Sequence, residues 1–548
     1  MTTSISNAEA RSLALKESAV VDQRRSVTSG QFPRMVPHTI ASRFLFLTIC
    51  VAIVMSALAY GTVHYWAMGL FALAGVSIVF FWIADAWRLG TLRISRNALQ
   101  FPLLGIILLG LFQLLPVRSN NAAAGLTSQT LNTLSYDPYA TRLVIVQITT
   151  LLIFFAASLV FIDTPHRLRL IVRTIAIFGF VLAIFGMTQS FTSPNKVYWV
   201  RELAQSTAFG PFINRHHFAG YMELALAIPL GLLFSGAIEG EKKLLYIFAV
   251  GMMGVALILT NSRGGIISLL AEVVFLVLIV GLRRRHHARE SEEKNRRVRS
   301  GIARATLGLV LIIGILAATV FFGGEQALSR FVGSVNTEDP TTGRAHFWNV
   351  TLDIIKAHPL IGTGLGAFGV VYTHYDSHNG LYRLEQAHND YLQVLSDGGI
   401  IGAALGLFFI VALFQMGLQR RESSDEFRRG VATGALAGCF AVLVHSFFDF
   451  TLHTTANALL FLVLAALATL NGRVESRSSR RRRRRRRTSQ PIAISNQLVL
   501  CFVIGALDFV LCTSCFVILF ATRKTTTETK YEAQSTKYKA QNQLITDY

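Results

Sequence analysis

The sequence predicts an all-α polytopic membrane protein, and three observations carry that expectation. Of the 548 residues 52% are hydrophobic and only 15% charged, whereas a soluble protein of this size would need far more charge on its surface. Apolar runs long enough to cross a hydrocarbon core of about 30 Å recur along nearly the whole chain. Lysines and arginines gather in every second segment between those runs, as cytoplasmic loops do.

The elements follow in order. Residues 1–43 form a polar arm, expected to be disordered and cytoplasmic, and the first apolar run lies too far in to be a cleavable signal peptide. Spans are expected near 44–60, 65–86, 100–117, 143–162, 170–191, 217–236, 244–260, 264–282 and 305–323, so that nine helices occupy residues 44–323. A polar stretch, 324–398, makes a large loop between helices nine and ten. Spans near 399–418, 430–448 and 454–471 bring the total to twelve and close the segment 399–472.

Residues 473–497 are basic and include the tract Arg480–Arg487. A polybasic run abutting the end of a span meets anionic lipid head groups more simply than nucleic acid, so membrane lipids are the expected partner and nucleic acid is not. A thirteenth apolar run, 498–521, opens the last segment, 498–548, which ends in a polar tail. All five cysteines (Cys50, Cys439, Cys501, Cys512 and Cys515) lie in apolar runs, which argues against a secreted disulfide framework.

With the N-terminus inside, the basic segments fall on the cytoplasmic side, and the long loops 118–142 and 324–398 fall outside. The few external basic residues are then left without a topological explanation. Arg263, in "LTNSRGGIISLL", stands at the start of a span that Ser262 can cap. Arg344, in "DPTTGRAHFW", falls in the first turn of a loop helix that Thr341 or Thr342 can cap. Arg215, in "FINRHHF", enters another span. Arginines at outward-facing helix N-termini suit a multiply charged anion such as a diphosphate, because backbone N–H groups and guanidinium forks both match phosphate oxygens. Taken one at a time, each arginine reads better as an anchor of its helix at the head groups.

The stretch "AHNDYLQVLSDGGIIG" adds His388 on the same side. A neutral imidazole can accept a proton from a hydroxyl while arginines stabilise a departing diphosphate, which is the apparatus of transfer from a phosphate-activated donor. No metal or other cofactor is expected. The zinc-like spacing of His374 and His378, with Asp376 and Asp390 nearby, is interrupted by the turn-forming "DSHNGLY".

His388-Asn389, nine residues, then Gly399-Ile400-Ile401-Gly402 resembles the His-Asn-x9-Gly-x-x-Gly signature of the bacterial O-antigen ligase family. "SRGGII" around Arg263 and "GRAHFW" followed by "HPLIGTGLGAF" resemble that family's two arginine regions, with Ile267 standing where leucine is common. The resemblance spans roughly residues 40–472. It implies a multi-pass protein of the bacterial inner membrane with its site facing the periplasm, a GT-C-type, metal-independent, inverting glycosyltransferase. Such an enzyme takes a glycan from undecaprenyl diphosphate and joins it to an acceptor hydroxyl on the lipid A core or a similar lipid. By matching position, His388 would be the activating base, and Arg263 and Arg344 would bind the donor diphosphate. Asn214, Arg215 and His217 would lie at a donor entrance, with His216 in the same loop, and Asn389 would complete the signature.

A polymerase of the same fold would share donor and chemistry and take another lipid-linked glycan as acceptor. A flippase for lipid-linked glycans would need charged groups through the membrane midplane. The expected spans hold few, Glu223 and Glu272 chief among them, while Asp449 and His453 fall near an outer turn.

Overall fold

A computed structural model describes residues 38–116, 133–193, 196–203, 207–281, 306–315, 317, 344–376, 384–420, 423 and 425–470. Within them every one of the twelve expected runs is helical. The helices are α1 (Ile40–Leu58), α2 (Tyr65–Leu89), α3 (Gln100–Gln113), α4 (Pro138–Phe161), α5 (Pro165–Thr192), α6 (Arg215–Ser235), α7 (Lys242–Leu259), α8 (Arg263–Gly281), α9 (Thr306–Ile315), α10 (Arg344–Ala357), α11 (Phe368–Tyr375), α12 (Asp390–Arg420), α13 (Glu426–His445) and α14 (Thr455–Thr469). A two-stranded hairpin, β1 (Lys196–Val197) with β2 (Arg201–Glu202), follows α5. The arginine tract, the run 498–521, Cys501, Cys512, Cys515, Thr341, Thr342 and His378 lie outside the described residues, as do most of the N-terminal arm and much of both long loops.

Nine helices among the described residues are long and apolar enough to cross a membrane: α1, α2, α4, α5, α6, α7, α8, α12 and α13. The apolar helices α3, α9 and α14 are shorter over their described residues. The tenth expected span differs most. Instead of starting at residue 399, α12 begins at Asp390 and breaks at Gly399, where φ is 63° and ψ is −161°. A Cβ at Gly399 would stand 2.4 Å from the backbone of Leu360, so only glycine fits that crossing. The polar first turns did not read as helix in sequence because their side chains are satisfied by distant groups. Asp390, for example, accepts from Ser446 Oγ and pairs with His453, 56 and 63 positions away.

Helix α6 occupies the middle of the bundle. Every residue from His217 to Ser235 is buried, as expected of a helix apolar on all sides. It lies against α13 through glycines: a Cβ at Gly231 would fall 2.3 Å from Gly434 Cα. Such close approach of small residues is how membrane helices gain packing where lipid supplies no hydrophobic drive between them. Helix α14, buried along its whole length, completes this centre.

The helix ends sort into two sets, as alternating crossings require. At one end Thr39 donates to Asp85, Arg93 bridges Asp85 and Asp163 at 2.7 and 3.1 Å, Asn97 reaches Thr469 at 2.8 Å, and Arg428 reaches the Leu470 carbonyl at 3.0 Å. These contacts join the starts of α1, α3 and α13 to the ends of α2, α4 and α14. The opposite end gathers the starts of α6, α8, α12 and α14 with the end of α13, and there the sequence-predicted residues lie.

Candidate functional site

The site is built on the N-termini of α6, α8, α10 and α12 and on the segment Ser446–Thr454 that links α13 to α14. Its centre is Asp449, whose side chain is 1% exposed. His388 Nδ1 donates to Asp449 Oδ1 at 3.3 Å. Arg344 approaches the other carboxylate oxygen at 3.8 Å, as does His216 Nδ1. Burial would push the pKa of Asp449 above the carboxylate range, but the His388 hydrogen bond and the surrounding imidazoles outweigh it and hold the carboxyl well below its ordinary value. Asp449 is therefore ionised at neutral pH.

His388 precedes α12 with a positive φ of 51°, an uncommon conformation for a side-chain-bearing residue. Neighbours hold it there: Trp348 Nε1 donates to the Ala387 carbonyl at 3.2 Å, and Asn389 Oδ1 caps α12 by accepting from the backbone of Tyr391 and Leu392. The imidazole meets Phe450 edge-on and lies over Phe347. Its side chain is 27% exposed. With Nδ1 committed to a carboxylate, Nε2 is the ring nitrogen that can take up or release a proton.

Arg344, the first residue of α10, donates to the Phe448 carbonyl as well as facing Asp449. Arg263 is the first residue of α8, and Ser262 Oγ caps that helix by accepting the Gly265 N–H at 3.2 Å. Ser262 is also hydrogen-bonded to His216 at 2.8 Å, which ties the start of α8 to the start of α6. A Cβ at Gly264 would lie 2.7 Å from the His445 ring, so the glycine pair after Arg263 lets this helix start press against α13.

The other expected contacts divide. Asn214 caps α6, accepting the His216 N–H at 2.9 Å, and Arg215 begins that helix. The His217 ring is buried against Phe450, and its carbonyl accepts from Asn457 at 3.0 Å. Asn389 Nδ2 reaches the Phe447 carbonyl at 3.2 Å. Asn214, His217 and Asn389 thus have structural partners, whereas His388, Arg344 and His216 converge on one carboxylate. The carboxylates of the zinc-like pattern are engaged elsewhere: Asp376 with His346 at 2.8 Å, and Asp390 with His453 at 2.7 Å.

Sequence reasoning noted Asp449 only as a charge near a turn. Its signal, an acidic residue within the aromatic run "HSFFDFTLH", points to burial but not to a partner. The pairing of Asp390 with His453 had no sequence signal.

A search of the curated proteins finds no match. Residues 248–407 match the family model described as O-antigen ligase. That segment runs from α7 into α12 and contains Arg263, Arg344 and His388, and over it the chain is similar to the O-antigen ligase family.

Proposed function

We propose that the protein is a glycosyltransferase of the ligase kind, which moves a glycan from undecaprenyl diphosphate to an acceptor hydroxyl, on the lipid A core or a comparable lipid, at the periplasmic face of the inner membrane. The observation that carries this reading is the convergence of His388 and Arg344 on buried, ionised Asp449.

In this reading the acceptor hydroxyl gives its proton to His388 Nε2 as its oxygen bonds to the anomeric carbon. The bond from that carbon to the diphosphate oxygen breaks on the opposite face, the electron pair leaves with the diphosphate, and the configuration inverts. Asp449 holds the imidazole in the tautomer that leaves Nε2 open, and its charge offsets the imidazolium as it forms. Arg344 and Arg263, at two helix N-termini, supply the charge that a departing diphosphate requires. Arg215 lies at the start of α6 on the same end, where a donor entering from the membrane would pass. The countercharge comes from guanidinium groups, so the chemistry needs no metal.

The periplasmic placement is supported by the sorting of helix ends. The end away from the site carries Arg93, Arg167, Arg428 and Arg429, as a cytoplasmic face should. In this scheme α3, α9 and α14 also cross, which gives twelve spans, and α10 and α11 belong to the periplasmic loop 324–398. A flippase would draw on Glu223 and Glu272, and both are buried in the packed core, Glu223 paired with His445 at 2.8 Å.

A polymerase would use the same residues, and gene deletion separates the two. We expect long polymer to accumulate on the carrier lipid and to be missing from the outer membrane. Accumulation of single repeats would instead establish a polymerase, and unchanged glycan pools would defeat both.

A further inference from the structure

We propose that Asp390 is a positioning residue of the site and acts on His388 and Arg344 together through the segment Ser446–His453. The proposal rests on the function given above.

The segments 388–390 and 446–453 are laced together by reciprocal pairs. His388 of the first donates to Asp449 of the second, and His453 of the second pairs with Asp390 of the first at 2.7 Å. Asp390 is 5% exposed and has further partners in the same segment. Its Oδ2 accepts from Ser446 Oγ at 2.7 Å and from the Leu452 N–H at 3.5 Å, and its own N–H donates to the Ser446 carbonyl at 2.9 Å. One carboxylate thus holds both ends of the segment 446–453. Between those ends lie the two groups that address the site residues: Asp449, which orients His388, and the Phe448 carbonyl, which receives Arg344.

The consequence is geometric. Asp390 touches neither His388 nor Arg344 with its side chain, yet the segment it closes sets the direction of the imidazole and of the guanidinium. A shift of about 1 Å in such a support costs on the order of 100-fold in rate. Replacing the carboxylate by an amide leaves the shape but removes the charge facing His453 and mismatches a donor against Ser446.

The test is a pair of double-mutant cycles in proteoliposomes, with kcat and donor KM measured for the full-length protein and normalised to the amount in the membrane. Asp390→Asn is expected to lower kcat at least about tenfold and to raise donor KM severalfold. In a His388→Gln background it should lower kcat no further, and in an Arg344→Lys background it should raise KM no further, because its effect travels through those residues. Ser446→Ala and His453→Gln each remove part of the grip and should give milder shifts of the same kind, which keeps the test usable if Asp390→Asn does not reach the membrane. Wild-type kinetics in Asp390→Asn, or losses that simply add in both backgrounds, would overturn the proposal. Wild-type kinetics in both His388→Gln and Arg344→Lys would overturn the functional reading itself, and the positioning role with it.

Discussion

Asp449 Oδ1 lies 3.3 Å from His388 Nδ1, across 61 positions of sequence and from a different helix connection. The carboxylate is buried and the imidazole partly exposed, 1% against 27%. That relationship turns a signature histidine into a group with a defined tautomer, and the predictions below follow from it and its surroundings.

Asp449→Asn keeps the size of the side chain but can offer its amide N–H to Nδ1, which favours the tautomer with the proton on Nε2. General base catalysis contributes about 10²- to 10⁴-fold, and kcat should fall within that range. His388→Gln, which cannot take up the proton, should fall as far. Glycan transfer measured with purified protein in proteoliposomes checks both, and near-wild-type kcat in either would remove the base from this pair.

The pair Asp390–His453 should make stability fall as the solution becomes more alkaline. Burial favours neutral His453, but the hydrogen bond and charge of Asp390, with Asp397 beyond it, outweigh burial and raise its pKa above the ordinary imidazole value. The stabilisation is therefore complete below about pH 6.5, the unfolded value, and is lost as pH rises through the raised folded value. Thermal unfolding in detergent should show that decline in the wild type and a flatter profile in His453→Gln. Asp449, with its depressed pKa, stays charged across this range and should not contribute to the decline.

Arg344→Lys keeps a positive charge but cannot hold the Phe448 carbonyl and face Asp449 with one planar fork. Loss of a charge-assisted hydrogen bond costs about 1.5–3 kcal/mol, so donor KM should rise roughly 10- to 100-fold. Arg263→Lys should act in the same direction. Both proteins should reach the membrane at normal abundance, which immunoblotting of membrane fractions would establish. Unchanged donor KM in both would show that the guanidinium geometry is not used.

Topology can be read chemically at two exposed positions. Lys356 on α10 belongs to the site end, and Glu426 at the start of α13 belongs to the other end. In a background with the native cysteines replaced, Lys356→Cys should react with an impermeant maleimide in spheroplasts, and Glu426→Cys only after lysis. The reverse pattern would place the site in the cytoplasm.

The sequence by itself determined the class, the location of the helices, and which end of the bundle bears His388, Arg263 and Arg344. These are local or additive properties. An apolar run of about 20 residues matches the hydrocarbon thickness wherever it occurs, capping residues mark helix starts a few positions away, and charge asymmetry accumulates loop by loop. The tertiary structure decided which of the expected residues meet. It put Asp449 beneath His388, gave Asn214 and Asn389 to helix capping, turned His217 into the core, and extended α12 back to Asp390 with a break at Gly399. Those outcomes depend on pairings between residues far apart in the chain. A buried carboxylate has the same spelling as an interfacial one, and only the packing of α6, α8, α12 and α13 around Asp449 supplies the partners that let it remain charged away from water.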